Sequence, residues 1–140
     1  MGTAVSKVDV WAADIRDRAG GLAGTLGPLA AAGANFEFII ARRRPEARGH
    51  GVVFVTPLKG AKQLRAARDA GFKKTSSMHS VRVEGPDRPG LAAVLTSALA
   101  DAGINVRGFS AAAIGRRCVV HLALDTAADA RKAMARLRRI

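Results

Sequence analysis

Asp17-Arg18-Ala19-Gly20 and Asp87-Arg88-Pro89-Gly90 lie 70 positions apart, and Ala32-Gly33-Ala34-Asn35-Phe36 and Ala102-Gly103-Ile104-Asn105-Val106 repeat at the same offset without a gap. These residue types have usable chemistry. A glycine such as Gly90 at the start of a helix lets a ligand approach the backbone, where free N–H groups and the helix dipole favour a carboxylate. Asn105 offers both a donor and an acceptor, and Asp87 complements an ammonium group. Together they suit a small anion or zwitterion. The same residues also make good turns and helix exits, so a purely architectural role is the competing explanation.

Catalytic chemistry finds little support. Cys118 and His121 lie three apart on a predicted strand, where their side chains point to opposite faces and cannot form a nucleophile–base pair. One of the two is expected to be buried. His50 falls between glycines in a predicted loop and His79 between the two copies, without ligand spacing for a metal. No paired carboxylates, phosphate-cradling loop or nucleophile elbow occurs. We therefore expect no catalytic residue, no metal and no cofactor.

The elements that must hold these residues follow from the pattern around them. Val8-Asp9-Val10 and Val81-Arg82-Val83-Glu84 alternate like half-buried strands. The helix of the second copy is predicted from Gly90 to Ala102, with Val94, Leu95, Ala98, Leu99 and Ala102 as its apolar stripe and Gly103 as its stop. Its counterpart holds Leu22, Leu26 and Leu29 but is interrupted by Gly24, Gly27 and Pro28, so a kinked or frayed helix is expected. Phe36 to Ala41 and Val52 to Val55 read as a hairpin around an Arg-rich connection, as do Val106 to Ile114 and Cys118 to Leu122 around Gly115-Arg116-Arg117. Second helices follow, Ala61 to Ala70 with Ala61, Leu64 and Ala67 inward, and Ala127 to Leu137 with Thr126 as N-cap and Asp129 three residues on. Trp11 reads as a packing residue.

The chain thus reads as α+β, two ferredoxin-like βαββα(β) repeats with helices packed on one face of antiparallel sheets. Repeat 1 is placed at residues 1–77 and repeat 2 at 78–140. Phe72 to Met78 supplies a candidate last strand for the first repeat, whereas nothing after Ile140 does so for the second. Either its sheet is one strand short or its open edge is covered by the other copy or another chain, so the halves should not separate cleanly and a homodimer is expected.

With 140 residues and 14.6 kDa there is room for one domain or two very small ones. Hydrophobic residues at 49% allow a packed core, and the single cysteine excludes an internal disulfide framework. No apolar run reaches the ~20 residues of a membrane span, and Met1 to Val10 lacks a signal-peptide layout, so a cytoplasmic protein is expected without membrane association. Met1 to Ser6 fits the loose myristoylation pattern, although an N-terminal tail is the plainer reading.

Asp87-Arg88-Pro89-Gly90-Leu91 after a strand, then a helix and Ala102-Gly103-Ile104-Asn105-Val106, resembles the signature of the ACT domain, a small amino-acid-binding regulatory module. The first copy matches more weakly, with Ala19 where the family prefers proline, and the whole chain resembles a tandem ACT protein without an attached enzyme. The resemblance implies ligands where two modules meet, held by the loop of one and the strand of its neighbour. By that resemblance the ligand-binding candidates are Asp87, Arg88, Pro89, Gly90, Leu91 and Asn105, and Asp17, Arg18, Gly20, Gly21, Leu22 and Asn35. An amino acid or related metabolite is the implied ligand, and a protein partner the implied recipient of the signal.

The net charge of +12 supports a rival. A basic interaction module would bind nucleic acid or an acidic protein through Arg42-Arg43-Arg44, Arg48, Arg116-Arg117 and the Arg131 to Arg139 cluster. Arg48-Gly49-His50-Gly51-Val52-Val53-Phe54-Val55 echoes the third-strand motif of RNA-recognition modules, but its base-stacking positions hold His50, Val52 and Val55. The cations also divide between the copies, thirteen before residue 76 and ten after it. Aromatic residues at 4% leave little for a base-stacking surface.

Overall fold

The computed structural model describes residues 3–140, so the glycine of the myristoylation pattern lies outside the described residues. The elements run β1 (Ala4–Val8), β2 (Trp11–Arg16), α1 (Gly21–Ala31), β3 (Phe38–Arg43), β4 (His50–Thr56), α2 (Gly60–Asp69), β5 (Lys73–Lys74), β6 (His79–Pro86), α3 (Leu91–Asp101), β7 (Val106–Ile114), β8 (Arg117–Leu124) and α4 (Ala127–Leu137). They form two compact units. Unit I is Asp9–Thr75, and unit II joins Ser76–Ile140 to the chain up to Val8.

Unit I carries a four-stranded sheet in the order β3-β4-β2-β5. Its strands pair antiparallel, with Trp11 opposite Val55 and Arg16 opposite His50, and with Phe38 opposite Thr56. Alternate residues Ala13, Ile15, Val53 and Val55 face one side and pack with Leu29 of α1, Ala67 of α2 and Phe72. Trp11 packs against the edge of this cluster. Leu64 is half-buried but Ala61 is exposed, contrary to the sequence expectation, because the helix presents only its Ala67 side squarely to the sheet.

Unit I departs from expectation at two further places. The helix α1 is not frayed at Pro28, and it has the same eleven-residue length as α3. Proline removes one helical N–H, whose acceptor would be the carbonyl of the exposed Gly24, and the fully buried Leu29 next to it fixes the turn against the sheet. His50 begins β4 instead of lying in a loop.

Unit II has the order β1-β6-β8-β7, all antiparallel. Val81, Val83, Val120, Leu122 and Leu124 meet Leu95 and Leu99 of α3 and Ala130, Ala133 and Leu137 of α4 in one core. The hydroxyl of Thr126 accepts the Asp129 N–H at 3.0 Å and caps α4 as anticipated. Cys118 and His121 are both buried, at 8% exposure each, where only one was expected. Cys118 belongs to the core and His121 lies on the other face of β8, so no pair forms between them.

The strand missing from the end of the second repeat is supplied by the beginning of the chain. β1 pairs with β6 from Ala4 opposite Glu84 to Val8 opposite Ser80, and Val5 packs on the unit II core. The Arg138 guanidinium donates to the Val5 carbonyl at 3.2 Å. Val8 therefore ends a strand of unit II, and the first strand of unit I starts at Trp11 instead of Val8. The boundary expected after residue 77 falls after Thr75, and unit II is discontinuous in sequence. Substituting β1 for a C-terminal strand gives both sheets the same order, edge strand, first strand, third strand, second strand.

Candidate ligand-binding site

Each repeat builds its glycine loop in the same way. Gly20 and Gly90 precede α1 and α3 with φ of 84° and 81°, left-handed values that cost little only for glycine. Neither helix has a side-chain N-cap hydrogen bond. The first-turn N–H groups consequently have no side-chain acceptor at the cap, where the helix dipole favours negative charge. A Cβ at either glycine would meet nothing within 4 Å, so it is conformation and not crowding that calls for glycine here.

The loops are anchored to the neighbouring hairpins. The Asp87 N–H donates to the Arg116 carbonyl at 2.8 Å, and the Asp17 N–H donates to the Gly49 carbonyl at 3.0 Å. The Leu91 and Gly21 N–H groups donate to the carbonyls of Arg88 and Arg18 at 3.3 and 3.0 Å. Asp87, Arg88, Pro89, Gly90, Asp17, Arg18 and Gly20 are exposed, whereas Leu91 and Gly21 are half-buried. A Cβ at Gly21 would overlap the Arg16 carbonyl oxygen, so this glycine is needed for packing of the helix start on β2. Leu22 is exposed at 36%.

Electrostatically the two loops differ. The Asp17 carboxylate is held by Arg43 at 2.8 Å, and Asp14 beside it engages His50 at 2.8 Å and Arg44 at 3.7 Å. Among the described residues Asp87 has no ion-pair partner, because the hairpin position 70 residues after Arg43 is Ala113. The Asp14–His50–Arg44 cluster was not visible in the sequence, since it depends on β2 lying beside β4. Arg82, Glu84 and Arg117 form a separate chain of charges on unit II, at 3.2 and 3.9 Å.

Asn35 and Asn105 do not join the loops of their own units. Both are exposed and lie just ahead of β3 and β7, respectively. In unit II Val106 pairs with Leu124, which pairs with His79, whereas Asp87 follows Pro86, which pairs with Arg117 at the far end of the same strands. Seven strand steps at ~3.3 Å each put the two ends roughly 23 Å apart. In unit I, likewise, Asp17 follows Arg16 opposite His50, while Glu37, after Asn35, donates its N–H to Thr56 at the other end.

The nucleic-acid motif is used structurally. Gly51, Val52, Val53 and Val55 are buried along β4, an interior strand, so two of the three base-stacking positions cannot meet a base. Among the described residues no group of three or more His, Cys, Asp or Glu side chains has the arrangement of a metal site. Among the described residues, too, no helix is long and apolar enough to cross a membrane.

Residues 79–140 match the ACT domain family model. This segment of unit II is similar to that family, and both units have an α+β, ferredoxin-like fold, together two antiparallel sheets with four helices. No curated protein sequence matches the chain. Solved structures resemble it over nearly its whole length. A protein from Bacteroides thetaiotaomicron superposes with a TM-score of 0.80 at 14% identity, covering 96% of this chain and 90% of that one. The ligand-free regulatory subunit of aspartate kinase from Thermus thermophilus gives 0.67 at 20% identity, covering 99% and 96%. Aspartokinase III from Escherichia coli, in complex with aspartate and ADP, gives 0.60 at 13% identity, covering 98% of this chain and 32% of the enzyme. The chain is thus similar in fold to that regulatory subunit of aspartate kinase.

Proposed function

We propose that this protein is a non-catalytic, cytoplasmic regulator that binds an amino acid or a related small metabolite where two ACT modules meet. The observation carrying this reading is the repeated Asp-Arg-x-Gly loop, with a left-handed glycine opening an uncapped helix in each unit. A ligand carboxylate would take the first-turn N–H groups, and its ammonium the Asp87 carboxylate. Since Asn105 and Asn35 stand at the opposite ends of their sheets from these loops, a ligand that contacts both kinds of residue has to bridge modules. Bridging is also what lets binding change an assembly, because the ligand then favours one module arrangement by its differential affinity. A homodimer provides more such junctions, and a protein partner would read the change.

A panel of amino acids tested by thermal shift, with light scattering on each hit, decides this reading. Stabilisation by one amino acid, saturable and lost on Gly90→Val, is the expected result. The rival is a basic interaction module whose loops are architectural. It is favoured by Arg131, Lys132, Arg136 and Arg139 of α4 and its end, which make no ion pair with another described residue. No shift with any amino acid, combined with salt-sensitive oligonucleotide binding, would select it.

A further inference from the structure

A groove of about 510 Å³ runs between α3 and the end of α4 on the outer helical side of unit II. On the α3 side Ala93, Ser97 and Ala98 give it a lining, or floor, of small side chains, and Val94 beside them adds an apolar one that is 41% exposed. The sequence pattern had placed Val94 in the core stripe. In the folded unit Leu95 and Leu99 fill that stripe, and α3 turns Val94 outward. Arg136 and Arg139 form the opposite rim, with neither paired to an acidic described residue, and Asp101 closes one end.

The fold does not require this surface. In unit I the helix of equal length has Gly24 and Gly27 at the positions of Val94 and Ser97, and it still closes a core against its sheet. The arginines also lack a local structural task, since α4 is held by Ala130, Ala133 and Leu137 and by its Thr126 cap. Small floor residues admit a neighbouring backbone closely, an apolar wall accepts one branched side chain, and two free guanidinium groups select carboxylates beside it.

We infer that this groove docks an acidic amphipathic helix of a protein partner, its apolar face on Val94 and the small-residue floor and its carboxylates on Arg136 and Arg139. A second copy would bring the same charge of +12 to the surface and lacks the required complementarity. Nucleic acid would leave the apolar floor unused and finds no aromatic side chain in the lining. The inference does not depend on the glycine loops, and it stands whether or not they bind a metabolite.

The test uses the full chain and a labelled helical peptide with leucines on one face flanked by glutamates, followed by fluorescence anisotropy. A scrambled peptide of the same composition and a single-stranded oligonucleotide are run beside it. The expected result is saturable binding of the amphipathic peptide, weakened about tenfold or more by Arg136→Glu with Arg139→Glu. Ser97→Trp, which fills the groove without changing its charge, should weaken binding similarly while leaving the melting temperature unchanged. Charge reversal at Arg65 and Arg68 on α2 should leave it within about twofold of the parent, because neither residue lines the groove. Absence of peptide binding, equal binding of the scrambled peptide, or indifference to Ser97→Trp would overturn the inference. So would loss of oligonucleotide binding on the same arginine substitutions without any peptide affinity, which would assign the surface to nucleic acid.

Discussion

Val5 of β1 lies directly opposite Val83 of β6, in an antiparallel pair that joins the first residues of the chain to the second repeat. Val83 is buried at 3% exposure and Val5 packs against the same core. The pairing closes an edge of β6 that would otherwise present unpaired backbone groups along an eight-residue strand.

Replacing Val5 by Asp should therefore destabilise unit II, although Val5 is remote from it in sequence. The expected loss is on the order of 2 kcal/mol, from lost apolar burial and a carboxylate placed against the core. Denaturant unfolding checks this, together with amide exchange of β6, which should accelerate. Unchanged exchange in β6 would mean that β1 is only loosely attached.

Leu99→Ala should cost about 2–5 kcal/mol, as it empties a fully buried position between α3, α4 and the sheet. Urea denaturation measures the change. A cost under about 1 kcal/mol would mean that the surrounding side chains collapse into the space unusually well.

Gly90→Val should affect both stability and ligand binding. A β-branched residue at φ 81° is strained by about 1–3 kcal/mol, and a conformational shift there would move the first-turn N–H groups. Gly90→Asn, which tolerates the left-handed region better, should retain more stability. Amino-acid-dependent thermal shifts on the two variants separate the effects: the ligand shift should shrink more in the valine variant.

Asp87→Asn and Asp17→Asn should have unequal effects. Asp87 has no described ion-pair partner and is free to meet a ligand ammonium, whereas Asp17 is held by Arg43. Titration calorimetry should show the larger affinity loss for Asp87→Asn. Equal losses would place the two loops on the same footing despite the Arg43 contact.

Arg43→Ala should change stability by less than about 1 kcal/mol, because its ion pair with Asp17 is largely solvent-exposed. If its main effect is to free Asp17, it should leave folding nearly untouched while increasing the amino-acid response of unit I. A substantially larger stability loss, seen in thermal denaturation, would show that the hairpin connection depends on this contact.

By itself the sequence determined most of what depends on local spacing. The offset of 70 placed the two glycine loops, alternation placed β6 and the hairpins, and the three-to-four periodicity placed α3 and α4. The left-handed Gly103 that stops α3 was also legible, since glycine after an apolar helical stripe is a local signal, whereas the same conformation at Gly20 and Gly90 appears only in the fold. Val94 was misplaced because one apolar residue beside a helical stripe can face either way, and only packing of Leu95 and Leu99 decides.

Tertiary structure alone decided the relations between distant residues. Nothing local in Ala4–Val8 says that it pairs with β6, because strand pairing is a choice among edges that exist only once the sheets have formed. The separation of Asn105 from Asp87 likewise follows from strand direction in the folded sheet, and the Asp14–His50 contact from the register of β2 on β4. A repeated local signal can specify two similar loops, but long-range pairing determines which residues share an end, an edge or a groove.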